Sequence, residues 1–263
     1  MPVTRPRMME IFSAAYWDMT RAFGSLRRMV LIAAGIFLVQ LLAYAIVPRL
    51  VTHHPVGRLI CGLLIAILFA YLLTPFVLAV HRFIVLGEVT TRYRFEPQSL
   101  RFKLMFYCLV AFALGQIIPE FLLTLVAPPQ PDVVNYTTRP PEPPRNSWAL
   151  AVLPVLIAVA VITTRLLVLL PAVATDAPGA TWQNAFADSK GHFWFTFWVL
   201  TLTVLPVLFG IIVLVALLAL VKPMWLSGLA IILVTLAGIV LATVLGAAVA
   251  SRIYLAFGNR LNA

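Results

Sequence analysis

FWFTFWVLTLTVLPVLFGIIVLVALLALVKPMWLSGLAIILVTLAGIVLATVLGAAVA, residues 193–250, carries one charged side chain, Lys222, in fifty-eight positions. A helix rises about 1.5 Å per residue and a bilayer's hydrocarbon core is about 30 Å thick, so roughly 20 apolar residues cross it once. The stretch is long enough to cross twice, over 193–221 and 224–250, turning at Lys222-Pro223. Outer-membrane strands need only about ten residues and alternate apolar with polar positions. That alternation is absent, so helix is the reading that remains. Four further runs qualify, at 29–47, 59–80, 104–127 and 148–164. The whole 263-residue chain is 62% hydrophobic and 11% charged, against about 45–50% apolar and about 25% charged for soluble domains. A soluble enzyme, a nucleic-acid binder and a disordered chain are excluded, and the net charge of +10 belongs to the segments between spans.

Those segments set an orientation. Fourteen Lys and Arg residues fall on one side: Arg5, Arg7, Arg21, Arg27 and Arg28 before the first span, Arg82, Arg92, Arg94, Arg101 and Lys103 after the second, then Arg165, Lys190, Arg252 and Arg260. Arg49, Arg58, Arg139, Arg145 and Lys222 make five on the other. Basic flanks stay in the cytoplasm, which predicts cytoplasmic termini. The first span is read as a membrane helix and not as a signal peptide, because the segment before it is too long for an n-region. Within that segment, over residues 8–24, Met8, Ile11, Phe12, Ala15, Met19, Ala22 and Phe23 share a helical face, with Glu10, Asp18 and Arg21 assigned elsewhere. This pattern predicts an interfacial amphipathic helix.

A repeat of three emerges. His81-Arg82, Thr164-Arg165 and Ser251-Arg252 each close an even-numbered span and each precede a short apolar run; Ser25, Ser99 and Ser189 each stand before an odd-numbered one. From each Ser to the following Arg is 57, 66 and 63 residues, one helical hairpin each time. The expected architecture is an all-α integral membrane protein, a single transmembrane domain of six helices in three hairpins. Each hairpin is introduced by an amphipathic cytoplasmic segment; Thr181 is a candidate cap for the third, and Pro97 weakens the second.

Arg165 to Pro171, followed by Ala185-Phe186-Ala187-Asp188-Ser189-Lys190-Gly191-His192-Phe193-Trp194, resembles the cytoplasmic connection of a widespread family of bacterial six-helix inner-membrane proteins. That family is related to the membrane domain of glycerophosphodiester phosphodiesterases. Ala185-Phe186 stand where the family usually shows Ser-Trp. The resemblance implies a multi-pass protein of the bacterial cytoplasmic membrane; it implies no chemistry, and no counterpart of the phosphodiesterase catalytic domain is visible.

Arg82, Arg165 and Arg252 are the candidate lipid- or anion-binding residues, since guanidinium groups at similar depth can gather lipid phosphates. The competing reading is that each marks a helix end and snorkels to headgroups. Arg82 and Glu88 are close enough to pair. Arg165, flanked by apolar residues, is expected to contact a carboxylate or carbonyl of the following loop, from Asp176 or Asp188. Gln116 and Glu120, one helical turn apart beside Pro119, are intramembrane polar candidates: a proton-accepting site, or a glutamate near the outer interface. Gly238, Ala242, Gly246 and Ala250 recur every four residues and serve close helix packing, as do Gly62, Ala66 and Ala70. The proline-rich segment 128–146 is an outer loop. Cys61 and Cys108 lie at opposite depths and are not expected to pair, and His53, His54, His81 and His192 lack metal-ligand spacing. No catalytic constellation, metal site or cofactor is expected. The functional expectation is a non-enzymatic inner-membrane protein, associating with anionic lipid, a membrane-protein partner or its own copies in envelope maintenance; the rival is a small transporter or lipid translocator using Glu120 or Arg165.

Overall fold

In a computed structural model, residues 7–50, 55–126 and 147–262 are described. Among them the chain is helical without strands: α1 (Met8–Ser25), α2 (Arg27–Leu50), α3 (Pro55–Leu86), α4 (Leu100–Val126), α5 (Ser147–Leu166), α6 (Leu169–Ala174), α7 (Trp182–Asp188), α8 (Phe193–Leu218) and α9 (Met224–Phe257). Six helical stretches are long and apolar enough to cross a membrane, as a multi-pass membrane protein requires. The 128–146 loop, His53 and His54, and Arg139 and Arg145 lie outside the described residues, as do the side chains of Arg49 and Glu120.

Two helices outrun the expected spans. The apolar runs after His81-Arg82 and Ser251-Arg252 do not lie apart from the helix but continue it, because no breaker intervenes. Gly87, with φ of +71°, then ends α3, its amide donating to the Phe83 carbonyl over 3.0 Å; glycine adopts this left-handed conformation at no steric cost. The corresponding run after Thr164-Arg165 breaks: α5 stops at Leu166 and α6 restarts at Leu169, its six residues all buried.

The buried core gathers at one end of the bundle. Ile11, Ala15 and Ala22 of α1, Phe76 and Val80 of α3, Met105 of α4, Ala172 of α6 and Leu245 and Ile253 of α9 are all buried. Toward the other end, Val39, Leu64, Leu205, Phe209, Ile212 and Leu233 are exposed, as suits side chains that face lipid tails. Helix α9 is the hub, packing against α8, α1, α3, α2 and α6. It holds α1 so that Asp18 lies in the interface, a correction to the expected face. Ile11, Ala15, Asp18 and Ala22 form one stripe at heptad spacing, and Asp18 is 4% exposed. Trp17 and Met9, on the opposite side of α1, stay exposed.

Gly238 brings α9 against α8: a Cβ there would stand 2.2 Å from Cδ1 and 2.7 Å from Cγ1 of Ile211. Ala250 is fully buried and Ala242 half-buried, whereas a Cβ at Gly246 would meet nothing within 4 Å. Close packing therefore explains part of the small-residue stripe. Pro75, Pro154 and Pro206 sit inside helices, and Cys61 and Cys108 are free thiols.

Candidate functional site at the basic end

The three arginines of the repeat take separate partners. The Arg82 Nε donates to Glu88 over 2.5 Å, and one terminal nitrogen reaches the Ala174 carbonyl at 2.9 Å and Asp176 at 3.4 Å. The expected Arg82–Glu88 pair is present, and the hydrogen bond from Arg82 holds the Glu88 carboxyl below the usual carboxylate range. Arg252 donates to both Asp18 oxygens, Nε over 2.5 Å and a terminal nitrogen over 2.8 Å, clasping α1 to α9. Arg165 does not meet the carboxylate expected of it. Its guanidinium lies 5.5 Å from the centre of the Phe186 ring, and its buried Nε has no hydrogen-bond partner.

Both expected counter-charges are engaged elsewhere. Asp176, in the left-handed region at φ of 55°, turns its carboxylate to Arg101 at 2.7 Å as well as to Arg82. Asp188 accepts from the backbone amides of Arg260 and Leu261, at 2.9 and 3.1 Å, and so ties the C-terminal residues to the end of α7. Thr181 caps α7 as its position predicts, accepting from the Asn184 amide over 3.2 Å. Arg82 thus meets Glu88 just after α3 together with Ala174 and Asp176 around the end of α6, Arg165 meets Phe186 of α7, and Arg252 meets Asp18 of α1.

Beside this network lies a cavity of about 510 Å³ between α3, the 87–99 connection and the first turn of α4. Its polar wall holds Arg82, Arg92, Arg94, Arg101, Glu96 and Ser99. Met29, Pro75, Leu78, Ala79 and Phe102 form an apolar wall from the spans. The connection is pinned there: the Tyr93 hydroxyl donates to the Leu72 carbonyl over 2.5 Å, and Phe95 stacks on Tyr71 with ring centres 5.6 Å apart. Ser99 caps α4, its Oγ accepting from the Phe102 amide over 3.2 Å. Arg101 also approaches Glu96, at 3.7 Å. Arg92 and Arg94 are exposed and have no ion pair among the described residues. Two guanidinium groups without an ion pair thus stand beside apolar side chains in one cavity, an arrangement with the chemistry to accept an oxyanion.

Of the residues anticipated from sequence whose side chains are described, only Arg82 reaches this cavity. Arg165 and Arg252 are taken up by Phe186 and Asp18; Gln116 is exposed on α4 and Glu120 follows one helical turn later on the same helix. In the sequence alone Arg92, Arg94 and Arg101 read only as topology charges. A signal was present: three arginines within ten residues beside Thr90-Thr91, in a segment with a proline. Among the described residues no group of His, Cys, Asp and Glu is placed to hold a metal. His81 is buried, its Nδ1 2.8 Å from Ser251 Oγ, and His192 stacks on Phe257.

No protein-family model, curated protein or solved structure matches the chain.

Proposed function

We propose that this is a non-enzymatic protein of the bacterial cytoplasmic membrane that associates with anionic lipid through its basic end, in the upkeep of the envelope. The observation that carries the reading is the cavity in which Arg92 and Arg94 stand unpaired beside an apolar wall. In this reading the spans form three hairpins, both termini and the cavity face the cytoplasm, and the cavity lies at headgroup depth. The fourteen-to-five distribution of Lys and Arg supports that orientation. The resemblance to the six-helix bacterial inner-membrane family supports the location. A membrane-protein partner or a second copy would find its surface on the exposed apolar flanks of α8 and α9, where Phe209, Ile212 and Trp225 lie. Transport through Arg165 gains no comparable support, because Arg165 does not line the cavity.

Native mass spectrometry from bilayers of mixed composition tests the reading. The wild-type chain is expected to retain anionic over zwitterionic lipid, and the Arg92→Gln/Arg94→Gln variant to lose that preference; equal retention of both lipid classes by the wild type would overturn it. Single-cysteine labelling tests the orientation on a background lacking Cys61 and Cys108. A probe at Asn135 is expected to be accessible from outside and one at Ala187 protected; the reverse pattern inverts the topology.

A further inference from the structure

The charge around the cavity selects among anions. Four guanidinium groups, of Arg82, Arg92, Arg94 and Arg101, stand against three carboxylates, of Glu88, Glu96 and Asp176. One positive charge is left over. Glu88 and Asp176 are bound into the arginine network, whereas Glu96 lines the cavity itself and meets Arg101 at only 3.7 Å. A phosphate monoester carries close to two negative charges at neutral pH, as a phosphorylated side chain does. It would overcompensate the site and bring its second charge toward Glu96. A phosphodiester carries one charge, shared between two non-bridging oxygens, and the site offers two free guanidinium groups.

Resting on the lipid-binding reading above, we propose that the ligand is the phosphodiester monoanion of a membrane lipid whose headgroup bears hydroxyl groups, and that Glu96 is the specificity-determining residue. The two non-bridging oxygens meet Arg92 and Arg94. A headgroup hydroxyl donates to the Glu96 carboxylate, and the glyceride portion lies against Leu78 on the apolar side of the cavity. Dianionic headgroups are turned away by Glu96 and not by lack of room, since about 510 Å³ is ample for a phosphate of either kind.

The experiment uses the full chain in phosphatidylcholine nanodiscs doped with equal mole fractions of phosphatidylglycerol or phosphatidic acid of matched acyl chains. Lipid retention is read by native mass spectrometry. The wild type is expected to favour phosphatidylglycerol by roughly tenfold, the worth of one charge-assisted hydrogen bond. Glu96→Gln leaves two positive charges and is expected to narrow or invert that ratio, with an unchanged melting profile because Glu96 is exposed. Phosphatidic acid retained as well as or better than phosphatidylglycerol by the wild type would overturn the monoanion assignment while leaving anionic-lipid association standing. Retention of neither over phosphatidylcholine would overturn both. A ratio unmoved by Glu96→Gln would remove Glu96 from the selection. Displacement of phosphatidylglycerol by soluble diethyl phosphate would show that the site takes a free diester and not a lipid.

Discussion

Replacing Arg252 should destabilise the protein more than replacing its partner Asp18. The pair is bidentate, and its two members differ in exposure: the Asp18 side chain is 6% exposed and that of Arg252 is 34% exposed. Arg252→Met strands a carboxylate in the α1–α9 interface, where little water reaches it, and removing one partner of a buried pair costs about 3–5 kcal/mol. Asp18→Asn keeps the shape and leaves a guanidinium that can turn to solvent or headgroups, so about 1–2 kcal/mol is expected after discounting for that exposure. Asp18→Leu/Arg252→Met removes both charges and should recover most of the difference, because an apolar pair of similar volume is often neutral or stabilising. Equilibrium unfolding of the three variants in mixed micelles ranks them, with the double variant more stable than Arg252→Met. Equal costs for Asp18→Asn and Arg252→Met, with a double variant no more stable than Arg252→Met, would refute the account of α1 as a helix clasped through a buried charge.

Gly238→Ala should destabilise the α8–α9 contact by about 1–3 kcal/mol, since the new Cβ collides with Ile211; Gly246→Ala, opening into free space, should be neutral or stabilising by up to about 1 kcal/mol in the same unfolding assay. Gly179→Ala should be more damaging than either, because its Cβ would lie 2.1 Å from the Arg260 backbone carbonyl, and limited proteolysis should then release the C-terminal residues from Asp188. Arg165→Leu should cost about 1 kcal/mol, the worth of its contact with Phe186, which places it well below Arg252→Met and above Arg92→Leu in thermal unfolding. A cost for Arg165→Leu matching that of Arg252→Met would mean that Arg165 has an anionic partner.

The spans were legible because length and apolar composition are local properties. So was the Thr181 cap, where a hydroxyl three residues before an amide is enough, and so was the Arg82–Glu88 pair across the end of α3. Asp18 is the residue the sequence places on the wrong face, although its spacing from Ile11, Ala15 and Ala22 fits the buried stripe. A carboxylate in an apolar stripe reads as an outlier until the cation opposite it is known, and Arg252 lies 234 residues away. Arg165 failed for a related reason. Sequence proximity favoured Asp176 and Asp188, but the left-handed turn at Asp176 delivers its carboxylate to Arg101 and Arg82, and the tail amides claim Asp188. The cavity is built from the start of α2, the last turns of α3 and the 87–102 segment. Periodicity within any one of them cannot show which arginines the folded chain leaves unpaired.

Photo-crosslinking decides whether Arg92 and Arg94 hold a lipid phosphate in this cavity. A phosphatidylglycerol analogue with a photoactivatable headgroup, irradiated in nanodiscs with the full chain, should modify peptides that contain residues 78–82 and 90–102. Arg92→Gln/Arg94→Gln should suppress those adducts. Adducts spread along the apolar flanks of α8 and α9, with a yield that the double substitution leaves unchanged, would contradict the account.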